Sequence, residues 1–196
     1  MKKIISALLV FCLCTSFCAC NADTQHSSSV KEQETSTPTE AIEIQSGLTI
    51  DRLKSFASSS GVKDYQEVEI DNEKKEFSFT SAGIAHFRGV ASGENVIEFS
   101  LSLTNVIANT SDEFAQLAYV GFQDFGKLTY NQVTSALSVM YVLDIYVMLG
   151  GSKDITLAEG VAVITDKTEL EVNDWSISAD FDTVDNTITI SAKYQK

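Results

Sequence analysis

The spacing of apolar residues changes twice along this chain of 196 residues. Nothing else in the sequence restricts the fold as much. From Val68 to Leu103 apolar side chains recur at every second position. Val68 and Ile70 alternate with acids, Phe77 and Phe79 continue the pattern, and Ile84 to Ala91 forms a third segment. Ile97, Phe99, Leu101 and Leu103 then alternate with Glu98, Ser100 and Ser102. Such alternation is the pattern of antiparallel strands with one buried face. Asp71 to Lys75 and Ser92-Gly93-Glu94-Asn95 read as the turns between them.

The middle of the chain changes period. Thr110-Ser111-Asp112-Glu113 opens a helix, Phe114, Leu117, Ala118 and Phe125 recur at helical spacing, and Gly126 ends the run. Thr129 caps a further segment that reaches Leu149 before Gly150-Gly151. Its second half, Val139 to Leu149, is rich in β-branched and aromatic residues, which favour a strand. Its length and the glycine pair favour a helix, and a helix is expected. A short helix is also expected at Leu48 to Gly61. Thr49 is its N-cap, and Leu48 and Leu53 have the spacing of a hydrophobic staple.

After residue 150 the alternation returns. Val161 to Ile164 reads as an apolar strand, and Leu170 and Val172 alternate with acids. Trp175, Ile177, Ala179 and Phe181 share one face. Ile188, Ile190, Ala192 and Tyr194 repeat this after the turn at Val184 to Thr187. The order helix, strands, helices, strands predicts an α+β fold, with helices packed on one face of an antiparallel sheet. The region from Gly47 to Lys196 has the size of one ordinary domain. Leu48-Thr49 resembles Leu128-Thr129 at an offset of 80 residues, but so few matches read as coincidence and not as a repeat.

All four cysteines, Cys12, Cys14, Cys18 and Cys20, lie in the first twenty residues. A basic start, Met1-Lys2-Lys3, precedes an apolar run from Ile4 to Phe17. This is the arrangement of a secretory signal peptide. The run is shorter than the roughly 20 residues a membrane-spanning helix needs. Phe17-Cys18-Ala19-Cys20 resembles the cleavage box of bacterial lipoproteins. That resemblance covers residues 1–20 only. It implies that residues 1–19 are removed and that Cys20 receives a diacylglyceryl group through a thioether. Cys18 is the poorer acceptor, because bulky Phe17 directly precedes it. Two acyl chains anchor a protein stably without help from a basic patch. The implied partner is therefore a membrane, met through the lipid on Cys20, and the implied location is its extracytoplasmic face.

Residues 20–46 follow as a Ser-, Thr-, Glu- and Gln-rich stretch with the chain's only proline, Pro38. It is too polar to offset its ordering entropy by burial, so a disordered tether is expected. Flexible chain of this length reaches about 28 Å. Beyond it, residues 47–196 carry 22 acidic and 11 basic side chains, a net of −11. Nucleic-acid binding depends on Lys and Arg neutralising phosphates, and an acidic domain without a basic run argues against it. A domain of this size folds without disulfides, and this one contains no cysteine.

Candidate chemistry is sparse. His86 is the only histidine of the domain. A hydrolytic triad or a His-based metal site would have to use it, but its place in an alternating segment reads as a half-exposed strand histidine. Asp144 interrupts the apolar run at residues 139–149, near Leu137, Met140 and Met148 on a helix. Burying it unpaired would be costly, so it should have a partner or lie at a rim. The acids of Asp180 to Asn186 offer oxygen ligands, but without EF-hand spacing, and turn chemistry already explains them. No phosphate-cradling or dinucleotide-binding glycine motif is present, and no cofactor or metal is expected. Besides a purely structural envelope component, two function classes remain. One is a non-catalytic module that binds an extracytoplasmic protein or small ligand. The other is a small tethered hydrolase using carboxylates.

Overall fold

A computed structural model of the chain describes residues 46–57, 61–81 and 83–196. The signal-peptide segment, Cys20 and nearly all of the tether lie outside them. Among the described residues four α-helices and seven strands form one α+β domain, as the alternation predicts. Helix α1 spans Ile50–Ala57. Strands β1 (Val62–Glu69), β2 (Lys74–Ser81), β3 (Ala85–Ser92) and β4 (Asn95–Thr104) follow as a meander. Helices α2 (Ser111–Asp124), α3 (Tyr130–Met148) and α4 (Leu157–Thr165) come next, with a 3-10 turn at Phe125–Lys127. Strands β5 (Leu170–Val172), β6 (Trp175–Asp182) and β7 (Thr187–Tyr194) close the chain.

All neighbouring strands are antiparallel, in the order β1-β2-β3-β4-β7-β6-β5. The last strand of each run meets the other at the centre, where Leu101 faces Ile190. One side of the sheet carries Phe79, Phe87, Phe99, Leu101, Ile177 and Ile190, all buried beneath the helices. The other side carries Ser78, Thr80, Ser100, Ser102, Thr189 and Ser191, none of them buried.

The N-cap expectations hold. Thr49 Oγ1 accepts from the Arg52 N–H at 3.2 Å, and Leu48 and Leu53 are both buried. Thr110 Oγ1 accepts from the Glu113 N–H at 3.2 Å. At Thr129 the N–H donates to Gln132 Oε1 at 2.9 Å.

Residues 139–149 lie on helix α3 and its C-cap, despite their β-branched side chains. Propensity is a weak preference that packing overrides. Every described residue from Thr134 to Leu143 is buried, so this stretch of α3 is enclosed on all sides. Its polar residues are satisfied. Ser135 Oγ accepts from the N–H groups of Ile107 and Ala108 at 3.0 and 3.3 Å. Thr134 Oγ1 donates to the Asn105 carbonyl at 2.7 Å. Together they fasten the segment after β4 to the central helix. Gly160 of α4 sits where an added Cβ would lie 2.8 Å from Leu143 Cδ2, so a larger residue would require the Leu143 side chain to shift.

Three expectations are corrected. Val161 to Ile164 is not a strand but part of α4. Thr156 and Glu159 form a capping box: Glu159 Oε2 accepts from the Thr156 N–H at 2.7 Å, and Thr156 Oγ1 accepts from the Glu159 N–H at 3.3 Å. Val68 and Ile70 do not face the core; they are 62% and 51% exposed. A bulge between Lys63 and Gln66 resets the edge strand, so Val68 stands opposite Glu76 on the uncovered side. Ile97 is not a core position of β4 either. A second bulge leaves it unpaired between Val96 and Glu98, and Val96 is buried in its place.

Candidate functional site

The two bulges and one glycine lie in the same half of the sheet. Bulges bend a strand and increase its local twist, and a strand glycine marks a bend or a close approach. Gly89 of β3 is such a position. A Cβ there would lie 2.4 Å from Phe77 Cζ and 2.5 Å from the Glu98 carbonyl oxygen. The Phe77 ring occupies the space that a side chain would take. The uncovered face of β1–β4 is hollowed at this point into an open trough of about 470 Å³.

Cross-strand pairing sorts its lining into two rows. One runs Gln66, Ser78, Arg88, Ser100, and the other Val68, Glu76, Val90, Glu98. Residues two apart on a strand lie about 6.6–6.8 Å apart, and neighbouring strands about 4.8 Å. A guanidinium flanked by two short hydroxyl side chains therefore stands one row from two carboxylates, with Val90 between those carboxylates.

Arg88 is exposed and makes no ion pair or hydrogen bond among the described residues. The other arginine, Arg52, is committed to structure. It donates to the Gly47 carbonyl at 3.2 Å and to the Met148 carbonyl at 2.7 Å. Arginine presents a planar fork of donors that matches a carboxylate or phosphate. Glu98 stands opposite Lys193 of β7 without a contact of 4 Å or less, and Glu76 stands between Val68 and Val90. No family model matches this chain, nor does any curated protein or solved structure. What the domain does must be argued from this surface.

His86 lies next to the trough, one row beyond Arg88. It is exposed on the uncovered face, with Nδ1 3.4 Å from Thr80 Oγ1. Asp144 lies on the other side of the sheet, in the helical layer. The adjacent Phe87 ring points inward and packs edge-on against Tyr141 at 6.5 Å between centroids. The sheet therefore separates His86 from Asp144, and they do not form one site.

Asp144 is solvent-accessible, yet its carboxyl is pushed up to about 6 by desolvation. A rim position has both properties: one side meets water and the other meets packed side chains. Burial first, and the Asp144 charge second, push the Tyr141 hydroxyl up to about 12. The Asp144 shift makes a pH prediction. An acid whose folded pKa is raised favours folding fully below its unfolded pKa, and that contribution is lost as pH rises through the folded value. The contribution of Asp144 to stability should therefore fall between about pH 4 and pH 6 in the parent. Asp144→Asn should flatten that decline and melt higher than the parent at neutral pH. Water on the open side screens the effect, so the gain is modest. Thermal melts across this range check it, and an unchanged slope would count against the rim account.

The acidic hairpin at Asp180–Asn186 uses its carboxylates locally. Asp182 Oδ1 accepts from the Val184 and Asp185 N–H groups at 2.8 and 3.3 Å. Among the described residues no group of three or more His, Cys, Asp or Glu side chains is placed to hold a metal ion. No described helix is long and apolar enough to cross a membrane.

The trough residues Arg88, Glu76, Glu98 and Val90 were not among the sequence-derived candidates. Gly89 inside an alternating strand was the available signal. Only the register, however, shows that three strands bring these side chains together.

Proposed function

We propose that this chain is an extracytoplasmic lipoprotein, anchored through Cys20, whose domain binds a ligand on the uncovered face of its sheet. The observation that carries the binding half is the trough. It is a concave surface with convergent polar groups and an arginine without a partner among the described residues, on a face that no described helix covers. Ligand sites are concave and fix their ligands with a few placed polar groups. Glu76 and Glu98 lie about 9–10 Å apart at Cα, two strand spacings. Their setting is an open face with no wall to exclude water, which suits binding better than bond cleavage.

The anchor half rests on the Cys20 box and the apolar run before it. Membrane-extracted protein should give an intact mass for residues 20–196 plus a diacylglyceryl group, and Cys20→Ser should move the chain out of the membrane fraction. A mature chain that begins at Met1, or one that lacks lipid, would remove the anchor. The binding half would still stand on the trough.

A further inference from the structure

We propose that the trough recognises a short zwitterionic peptide of dipeptide length, its carboxylate on Arg88 and its ammonium on Glu76 and Glu98. This inference rests on the binding-face reading above and names the ligand class for it. Four observations carry it.

The first is the arrangement of charge. Arg88 lies in one row, and the two carboxylates lie in the next. The rows are about 6.6–6.8 Å apart along the strand. Two extended residues span about 7 Å. A dipeptide laid along β3 therefore brings one terminus to each row.

The second is the apolar floor at the carboxylate row. Val90 stands between Glu76 and Glu98, and Val68 lies on the far side of Glu76. Val68 is 62% exposed. These valines give an apolar side chain of the peptide a surface to cover. Ser78 and Ser100 flank Arg88 with hydroxyls, which can donate to the same carboxylate.

The third is the state of the groups. Arg88 has no partner among the described residues, so a ligand carboxylate displaces no internal bond. Lys193 stands beside Glu98, which leaves Glu76 the larger share of the ammonium. His86 lies one row beyond Arg88, on the carboxylate side of the peptide.

The fourth is the field of the whole domain. With a net charge of −11 from residue 47 onward, the surface opposes a ligand of net negative charge. A purely cationic ligand would leave Arg88 facing a like charge. A zwitterion has no net charge and satisfies both rows.

The test is calorimetric titration of the mature chain, residues 20–196, in detergent with alanyl-valine, N-acetyl-alanyl-valine and alanyl-valine amide. The free dipeptide should bind saturably, and each blocked form about tenfold more weakly, as expected for loss of one exposed charge-assisted contact. Arg88→Gln should erase the difference between the free and amidated carboxyl end. Glu76→Gln should reduce the difference between the free and acetylated amino end. Both residues are exposed, so folding is not at stake, and unchanged melting temperatures verify this. Equal binding of blocked and free forms, no saturable binding, or unaltered discrimination in the variants would overturn the proposal.

Amide shift mapping separates this failure from that of the binding face. Shifts centred on Gly89 without dependence on the peptide termini overturn the zwitterion and leave the face standing. Shifts confined to other surfaces overturn both.

Discussion

Trp175→Ala is expected to destabilise the domain by about 3–5 kcal/mol, the usual loss on truncating a large buried aromatic. For a domain of this size that lowers the melting temperature by about 10 °C or more. Trp175 opens β6 and is 1% exposed. Its ring meets Phe99 of the other half-sheet edge-on at 6.1 Å and Tyr194 of β7 at 5.5 Å. Its indole N–H donates to the Ser46 carbonyl at 3.3 Å. One side chain therefore joins both halves of the sheet to the start of the described chain. Truncation removes the packing and leaves that carbonyl without its donor. Trp175→Phe keeps most of the apolar burial and should cost clearly less. Thermal unfolding followed by far-ultraviolet circular dichroism checks both variants. Equal, small losses would show that the ring is not the keystone described here.

Gly89→Val should cost about 3 kcal/mol or more, at or beyond the upper end of ordinary overpacking. Two of the three nearest clashes are with the Phe77 ring, which could move. The third, 2.5 Å from the Glu98 carbonyl oxygen, is with strand backbone and cannot be relieved by a rotamer change. The β3–β4 ladder has to separate or the sheet has to flatten. Either response also changes the shape of the trough on the opposite face. Gly89→Val should therefore lose dipeptide binding together with stability, whereas Arg88→Gln should weaken binding and leave stability unchanged. Denaturant unfolding and the titration, read on the same variants, test this. A Gly89→Val protein of parental stability would contradict the close approach.

The architecture was legible because the apolar period is unambiguous where it matters. Phe99, Leu101 and Leu103 alternate with serines, and Ile188, Ile190 and Ala192 alternate with Thr189 and Ser191. All six are buried as that pattern requires. The failures are local and share a cause. Period two identifies a strand but not a bulge, and one extra residue reverses which side faces the core. Val68, Ile70 and Ile97 were misread for this reason. At α4 the four apolar residues from Val161 to Ile164 are too few to distinguish a strand from a helix by period. The decisive signal was upstream, in the Thr156 and Glu159 capping box. The candidate site was the least legible part. Arg88, Glu76 and Glu98 look like ordinary solvent-facing strand residues in sequence. Their proximity depends on register between three strands.

The meeting of β4 and β7 at the centre of the sheet also has a kinetic side. The hairpins β1–β2, β2–β3, β3–β4, β5–β6 and β6–β7 each close over a short turn. The pairing of Leu101 with Ile190 closes about 90 residues of chain, and its entropy must be lost before its contacts form. Two half-sheets can therefore assemble early and wait for each other, each exposing one long unpaired edge. In that interval the β7 edge of one chain can serve the β4 edge of another as well as its own. Where copies of the chain fold side by side, the seam is where exchange of half-sheets between molecules would begin.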